Sequence, residues 1–104
     1  MEKYEVFIKS EAKEDLREIF RYITEVLYEP AIAERICDAI ETAILSLMQF
    51  PLRHSVIIEE PFALREIRRM HVKNYTIFYV VENAEKKVHV LRVLYSRRNW
   101  QDLV

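Results

Sequence analysis

The sequence contains no glycine among its 104 residues. Nucleotide-binding proteins of the Walker and Rossmann types cradle phosphates with glycine-rich loops, so both classes are excluded. The turns also form without the residue that adopts positive φ at no steric cost, so we expect them to rely on Asn, Asp and Pro. The absence of glycine therefore excludes glycine-rich phosphate-binding loops and restricts which residues can form the turns.

Cysteine is nearly absent, because Cys37 is the only one. No disulfide framework can form, and a reducing, cytoplasmic compartment is the simplest expectation. Cys37 falls in an apolar helical pattern, which favours a buried hydrophobic residue over a nucleophile. No apolar run approaches the roughly 20 residues that cross a bilayer, and the charged N-terminus does not resemble a signal peptide. We therefore expect no membrane contact.

Charge is unevenly distributed along the chain, although the net charge is only −1. Residues 1–60 carry 7 Lys/Arg against 13 Asp/Glu, whereas residues 61–104 carry 9 Lys/Arg against 4 Asp/Glu. Such an asymmetry indicates an anionic partner for the basic part. A basic sheet face attracts such a partner through its local field, even when the whole protein is nearly neutral.

Hydrophobic periodicity predicts a single α+β domain that spans the whole chain, with a strand at residues 4–9 and two helices after it. The first helix runs from an N-cap at Ser10 to about Tyr28, because apolar residues recur every three or four positions. The second helix runs from Pro30 to about Gln49. Since the link between the helices is short, they should form an antiparallel hairpin.

Three runs rich in Val, Ile, Tyr and Phe follow, at residues 64–72, 74–81 and 88–95. Short polar breaks between such runs predict an antiparallel β-meander. Both faces of the second strand are apolar, as expected for a central strand that is covered on each side. Asn83 is expected to take positive φ in the turn that follows. The sequence also indicates a candidate short strand at residues 56–58, and a tail that packs back through Trp100, Leu103 and Val104.

Three segments of this meander carry a family resemblance: Ile67-Arg68, Asn74-Tyr75-Thr76-Ile77-Phe78-Tyr79 and Leu91-Arg92-Val93-Leu94-Tyr95-Ser96-Arg97-Arg98-Asn99-Trp100. Together with the order of the elements from residue 4 to residue 100, they resemble the RelE/ParE superfamily, the toxins of type II toxin–antitoxin modules. The resemblance implies a bacterial toxin held inactive by an antitoxin encoded beside it. RelE-like members cut mRNA in the ribosomal A site, whereas ParE-like members are understood to poison DNA gyrase.

Metal-independent RNA cleavage needs a base for the 2′-hydroxyl, stabilisation of the crowded phosphate and a proton for the leaving 5′-oxygen. Arginine pairs well with phosphate, but its pKa above about 12 makes it a poor base. His71 is the candidate base, because strand alternation puts it on the same face as Arg69. The residues predicted for catalysis are His71, Arg68, Arg69, Arg92, Tyr95 and Arg97.

Arg92 is the most suggestive of these positions, because it interrupts an apolar strand and is costly there unless it is paired or functional. The residues predicted to contact RNA phosphates are Arg65, Lys73 and Arg98. No pair of His residues has metal-ligand spacing, so neither a metal nor any other cofactor is expected.

Departures from the RelE pattern leave the branch of the superfamily open. Thr76 stands where RelE has a basic residue, Ile67 and Arg69 stand where it has two lysines, and the long helical hairpin is more like ParE. From the sequence alone we favour a ribosome-dependent mRNA endonuclease. The alternatives are a non-enzymatic gyrase poison and an inactive, antitoxin-bound corepressor. In each case the predicted partner is a cognate antitoxin, whose acidic or amphipathic segment folds as it binds.

Overall fold

The computed structural model describes residues 3–104 of the chain. It contains a strand, two helices and three further strands in this order: β1 (Glu5–Ile8), α1 (Ser10–Arg21), α2 (Pro30–Leu45), β2 (Arg68–Val72), β3 (Tyr75–Glu82) and β4 (Lys87–Tyr95). A π-helical turn, Tyr22–Val26, extends α1, and two short 3₁₀ turns, Ser46–Met48 and Pro51–Arg53, follow α2. The predicted α+β architecture is confirmed.

The four strands form one mixed sheet in the order β1-β4-β3-β2. Strands β2, β3 and β4 pair antiparallel, which confirms the predicted meander. Strand β1 pairs parallel to the first half of β4, from Glu5 opposite Lys87 to Ile8 opposite Val90. Because β1 ends there, the second half of β4 pairs only with β3, and its other edge lies beside α1.

The helical hairpin covers one face of the sheet. Ile40, Ile44 and Leu47 come from the hairpin side and are at most 1% exposed, and they pack with Ile77 and Tyr79 of the central strand. Burial of a Leu or Ile side chain stabilises a fold by roughly 1.5–3 kcal/mol. The apolar stripe of α2 therefore supplies much of the energy that fixes the hairpin on the sheet.

The opposite face of the sheet is covered by the connection between α2 and β2 and by the C-terminal tail. Phe78 of β3 lies here, and the other buried members are Ile57, Phe62, Ile67, Leu91 and Leu94. Trp100 of the tail packs against both Phe62 and Phe78, with ring centroids 5.1 and 5.4 Å apart. The predictions that the central strand is covered on both faces and that the tail packs back are both confirmed.

Local details differ from the sequence expectations at three places. Ser10 is the first residue of α1 and not its N-cap, and its hydroxyl bonds the neighbouring Glu11 carboxylate. Val56 makes one isolated bridge to Arg68 in place of a strand. Lys86, and not Asn83, takes positive φ in the β3–β4 turn.

The absence of glycine has a visible consequence for the backbone. Within residues 3–104, the positions with positive φ are Tyr28, Phe50, Glu66, Lys73 and Lys86. Positive φ is sterically unfavourable for residues with a Cβ, particularly bulky ones. Asn74, Asn83 and Pro61 do lie in turns, but the positive-φ positions themselves are occupied by residues with a larger side chain.

Candidate functional site

Two predicted site residues meet on the face of the sheet that lies away from the helices. On β2, Arg69 pairs with Phe78 and His71 pairs with Thr76, so all four side chains share this face. The β4 ladder continues to Ser96, whose N–H donates to Asn74 O at 2.8 Å. Because Ser96 comes two residues after Leu94, which pairs with Thr76, its side chain lies on the same face. These side chains line a shallow cleft of about 40 Å³, which Tyr95 and Trp100 complete.

A chain of hydrogen bonds connects three side chains in this cleft. Nδ1 of His71 lies 3.0 Å from Thr76 Oγ1, which in turn lies 2.9 Å from Ser96 Oγ. Thr76 is 4% exposed, whereas His71 and Ser96 are exposed at either end of the chain. No hydrogen bond or ion pair of the half-buried Arg69 side chain occurs within residues 3–104. The cleft therefore combines an imidazole, two hydroxyls and a guanidinium that has no hydrogen-bond partner within residues 3–104.

Arg68 lies on the opposite face from Arg69, as alternation along a strand requires. Its Nη1 donates to Leu52 O at 3.1 Å and to His54 O at 2.6 Å. The cross-strand neighbour Tyr79 donates to Pro51 O at 2.7 Å, and burial raises the pKa of this tyrosine to about 12. Arg68 and Tyr79 together hold the turn that follows α2, so the Arg68 guanidinium is occupied by structural contacts.

Arg92 is also occupied, by a bidentate ion pair with Asp15 of α1. The two bonds are 2.7 Å from Nε to Oδ2 and 2.8 Å from Nη2 to Oδ1. Oδ2 of Asp15 additionally accepts the N–H of Val93 at 3.0 Å, on the edge of β4 that β1 is too short to reach. Nη1 of Arg92 donates to Leu103 O at 2.9 Å. The hydrogen bonds to Asp15 raise the pKa of Arg92, and the residue ties α1, β4 and the tail together.

The other predicted residues lie around the open end of the meander. Tyr95 is 44% exposed and its ring packs edge-on against Tyr75, 5.8 Å between centroids. Lys73, in the β2–β3 turn, and Arg97 and Arg98, after β4, are exposed. Arg65 instead makes a structural contact, because its Nη1 donates to Val104 O at 2.9 Å and fastens the tail. The structure thus leaves Arg69, His71, Lys73, Tyr95, Arg97 and Arg98 accessible; their functional roles stay predictions.

A second concave surface, the hairpin groove, lies between the helical hairpin and the open end of the sheet. Its volume is about 800 Å³, and its apolar lining includes Ile19, Ile23, Leu27, Ile32, Ile36 and Tyr75. Glu18 and Glu29 flank it on the helical side, and Lys73 and Arg98 flank it on the sheet side. A groove of this size and polarity can take the apolar face of a helix from another protein.

The remaining candidates for chemistry lie apart from both concave surfaces. His89 bonds Glu82 at 3.1 Å and stacks on Phe7. His54 packs against Tyr79, and burial lowers its pKa. Burial also raises the pKa of the Cys37 thiol. Across residues 3–104, no three His, Cys, Asp or Glu side chains are grouped to hold a metal ion, and no helix has the length and apolarity that crossing a bilayer requires.

Sequence reasoning did not assign roles to Asp15, Thr76 or Ser96. Asp15 lies on α1, and its partner Arg92 is 77 residues away in the sequence. Thr76 was noted only as a departure from a basic position. Its contact with Ser96 depends on the register between β3 and β4, which alternation along one strand does not give.

A family model described as the ParE toxin of type II toxin–antitoxin systems, parDE, matches residues 6–100. The match therefore includes the helical hairpin, the whole meander and the tail as far as Trp100. Among curated proteins, no sequence matches the chain.

Several solved structures share the fold. The chromosomal ParDE system of P. aeruginosa has a TM-score of 0.72 at 19% identity, covering 89% of this chain and 96% of that one. The RelBE2 toxin–antitoxin complex of Mycobacterium tuberculosis has a TM-score of 0.64 at 22% identity, covering 91% and 93%. A mutant of the E. coli toxin RelE in the free state has a TM-score of 0.64 at 11% identity, covering 91% and 85%. These likenesses confirm the predicted RelE/ParE-like fold.

Proposed function

Because the chain belongs to the ParE toxin family of type II toxin–antitoxin systems, we propose that it poisons DNA gyrase, the action understood for ParE-like members. In this proposal the toxin binds a protein target and catalyses no reaction. The mRNA endonuclease that the sequence favoured becomes the second candidate. The order of the two candidate functions changes because two of the arginines predicted for catalysis make structural contacts instead.

The internal use of Arg68 and Arg92 is the observation that carries the proposal. Four arginines were predicted for catalysis, and these two donate to backbone carbonyls and to Asp15 instead. A crowded phosphate needs several convergent cationic donors, and the cleft retains Arg69 alone among the strand arginines. The exposed Arg97 and Arg98 beyond β4 then serve as charged contacts for a macromolecular surface.

The proposed antitoxin contact is the hairpin groove. Its apolar lining suits one face of an amphipathic helix. Basic residues on that helix would pair with Glu18 and Glu29, and acidic residues would pair with Lys73 and Arg98. The ParDE and RelBE2 structures of similar fold are themselves toxin–antitoxin systems, which supports a cognate antitoxin here. A segment that folds on binding would gain its order from this groove.

Metal-independent RNA cleavage stays as the second candidate because of one specific observation. The cleft brings His71 together with Arg69, Thr76 and Ser96, so an imidazole and a guanidinium share one accessible surface. A positioned imidazole is the commonest general base. This arrangement needs His71, whereas gyrase poisoning does not.

The deciding experiment induces the toxin briefly without antitoxin and follows thymidine and methionine incorporation separately. We expect thymidine incorporation to fall first, with mRNA intact, and purified toxin to inhibit supercoiling by gyrase. His71→Ala should keep full toxicity, as should His89→Ala, the matched control on β4.

If methionine incorporation collapses first, transcripts are newly cut within codons and His71→Ala is harmless, the gyrase proposal fails and the second candidate replaces it. If the unaltered toxin is harmless, both candidates fail and the chain is an inactive member that serves its antitoxin as a corepressor.

A further inference from the structure

We propose that the outer face of the helical hairpin is a self-association surface, on which two copies of the chain pack about a two-fold axis. The outer face is the exposed side of α1 and α2, and an outer groove of about 430 Å³ runs along it between the helices. The residues that line the outer groove line neither the hairpin groove nor the cleft. The inference therefore goes beyond the proposed function and does not depend on what the toxin poisons.

Charges of one sign follow each helix on this face. Residues three or four positions apart lie on the same side of a helix, and charged residues recur at that spacing on both helices. The basic stripe on α1 consists of Lys13, Arg17 and Arg21, and the acidic stripe on α2 consists of Glu34, Asp38 and Glu41. All six residues are exposed. The outer face is thus positive along one helix and negative along the other.

The two stripes do not pair with each other inside one copy. Arg17 bonds Glu14 of its own helix at 2.7 Å, and within residues 3–104 no ion pair joins the basic stripe to the acidic stripe. Like charges four positions apart on one helix repel each other. A second copy can relieve this repulsion, because a two-fold axis places the acidic stripe of each copy over the basic stripe of the other. The surface is therefore complementary to itself.

The symmetry also fixes which residues meet. Phe20 and Cys37 both line the outer groove, and each lies about two helical turns from the tip of the hairpin. With the axis between these two residues, α1 of one copy runs over α2 of the other in the same direction, and Phe20 covers the partner's Cys37. The same offset brings Arg17 to the partner's Glu34 and Arg21 to the partner's Asp38. Both of these charge pairs have opposite signs.

Apolar contacts supply the rest of the interface. Phe20 is 41% exposed beside the half-buried Cys37, so the second copy would cover both. The offset also places Tyr28, which is 81% exposed, against the partner's Leu45, which is 58% exposed. Exposed apolar side chains rimmed by charges are typical of protein–protein contacts. The single copy leaves these side chains in water, and the dimer would bury them.

The size of the face predicts how tightly the copies bind. Helix α2 has 16 residues, which makes it about 24 Å long, and two packed helices are roughly 20 Å wide. The dimer would bury about 1,000 Å² in total, at the low end of specific interfaces. We therefore expect reversible association with a Kd on the order of 10 μM, weakening as salt screens the exposed charges.

Sedimentation equilibrium of the full chain over a wide range of concentrations tests the proposal. Arg21→Glu and Asp38→Arg should each raise the dimer Kd by roughly 10-fold or more, because two-fold symmetry repeats the repulsive contact twice. A mixture of equal amounts of the two variants should recover the original Kd. In the mixed dimer one contact joins Glu to Arg in exchanged positions, and the other is the unaltered pair of Arg21 with Asp38. Glu85→Arg, an exposed position in the β3–β4 turn, is the control and should leave the Kd unchanged.

Each alternative result overturns a stated part of the inference. A toxin that stays monomeric at every concentration overturns the self-association and leaves the outer face to solvent or to a different protein. A dimer whose Kd changes with neither reversal uses another surface, which overturns the assignment to the hairpin. If both reversals weaken the dimer but their mixture does not recover it, the opposition of Arg21 and Asp38 is wrong. None of these results alters the test of gyrase inhibition, which is read from supercoiling.

Discussion

Replacing Arg92 with Met should lower the free energy of unfolding strongly, although the sequence predicted a catalytic role for this residue. The substitution removes both bonds to the Asp15 carboxylate, whose side chain is only 6% exposed. It also removes the donor to Leu103 O and thereby weakens the attachment of the tail. Asp15 keeps one bond, from the Val93 N–H, which cannot balance a buried negative charge.

The magnitude follows from the burial of the pair. Removing one partner of a buried ion pair costs about 3–5 kcal/mol, because the other charge stays behind. Since the Arg92 side chain is 20% exposed and some water can reach the site, we take the lower end, about 3 kcal/mol. In a domain of this size that loss lowers Tm by roughly 12–20 °C, and it is a large share of a total stability of about 5–15 kcal/mol.

Urea unfolding followed by far-UV circular dichroism and by Trp100 fluorescence measures the effect. Trp100 is the only tryptophan and lies in the tail, so its fluorescence reports the release of that segment. Arg17→Met is the control: Arg17 pairs with Glu14 on the surface of α1, where both side chains are more than half exposed, and less than about 0.5 kcal/mol should be lost. A loss below about 1 kcal/mol for Arg92→Met would refute the reasoning and return Arg92 to the functional surface.

Three smaller predictions concern the core and its buried titrating groups. Tyr79→Phe should lose about 1–2 kcal/mol at neutral pH, because Pro51 O loses its donor. Since burial raises the folded-state pKa of Tyr79 to about 12, its stabilising effect is complete below about pH 10 and is lost as the pH rises toward 12; alkaline denaturation of the variant should lack that loss. Burial lowers the pKa of His54, so stability should fall as the pH drops below about 6.5, and His54→Gln should flatten that slope in urea titrations. Ile40→Ala should lose about 2–5 kcal/mol, whereas Leu45→Ala, 58% exposed on the same helix, should lose less than about 1 kcal/mol; similar losses at both sites in thermal unfolding would contradict the packing described.

Much of the fold followed from periodicity along the chain. The apolar repeats of the hairpin and the alternating runs of the meander depend on neighbours close in sequence, and α2 and the three meander strands form near their predicted places. The pairing of β1 with β4 depends on contacts about 80 residues apart, and no local pattern indicates it. Positive φ at Lys86 in place of Asn83 shows the same limit, because the register of the hairpin and not the residue type selects the position.

The alternation of side chains along a strand was enough to predict part of the candidate site. Arg69 and His71 share a face, as predicted, and the same rule separates Arg68 from them. For Arg92 the sequence indicated that an arginine in an apolar strand has to be paired or functional, but it did not show which of the two applies. The structure pairs it, and the partner Asp15 lies on a helix at the other end of the sequence.

The two concave surfaces lie on opposite faces of β3, and Tyr95 at the end of β4 is the one residue that lines both. Tyr75 of β3 lines the hairpin groove, and the next residue, Thr76, lines the cleft on the other face. A slip of one residue would exchange them, but the strand is locked because Ile77 is buried against the helices and Phe78 against the tail. Substitutions of cleft residues other than Tyr95 can therefore change the cleft without changing the groove. A toxin that loses activity through Thr76→Val and still binds its antitoxin would locate the chemistry on the cleft face, and one that stays toxic would locate its action elsewhere.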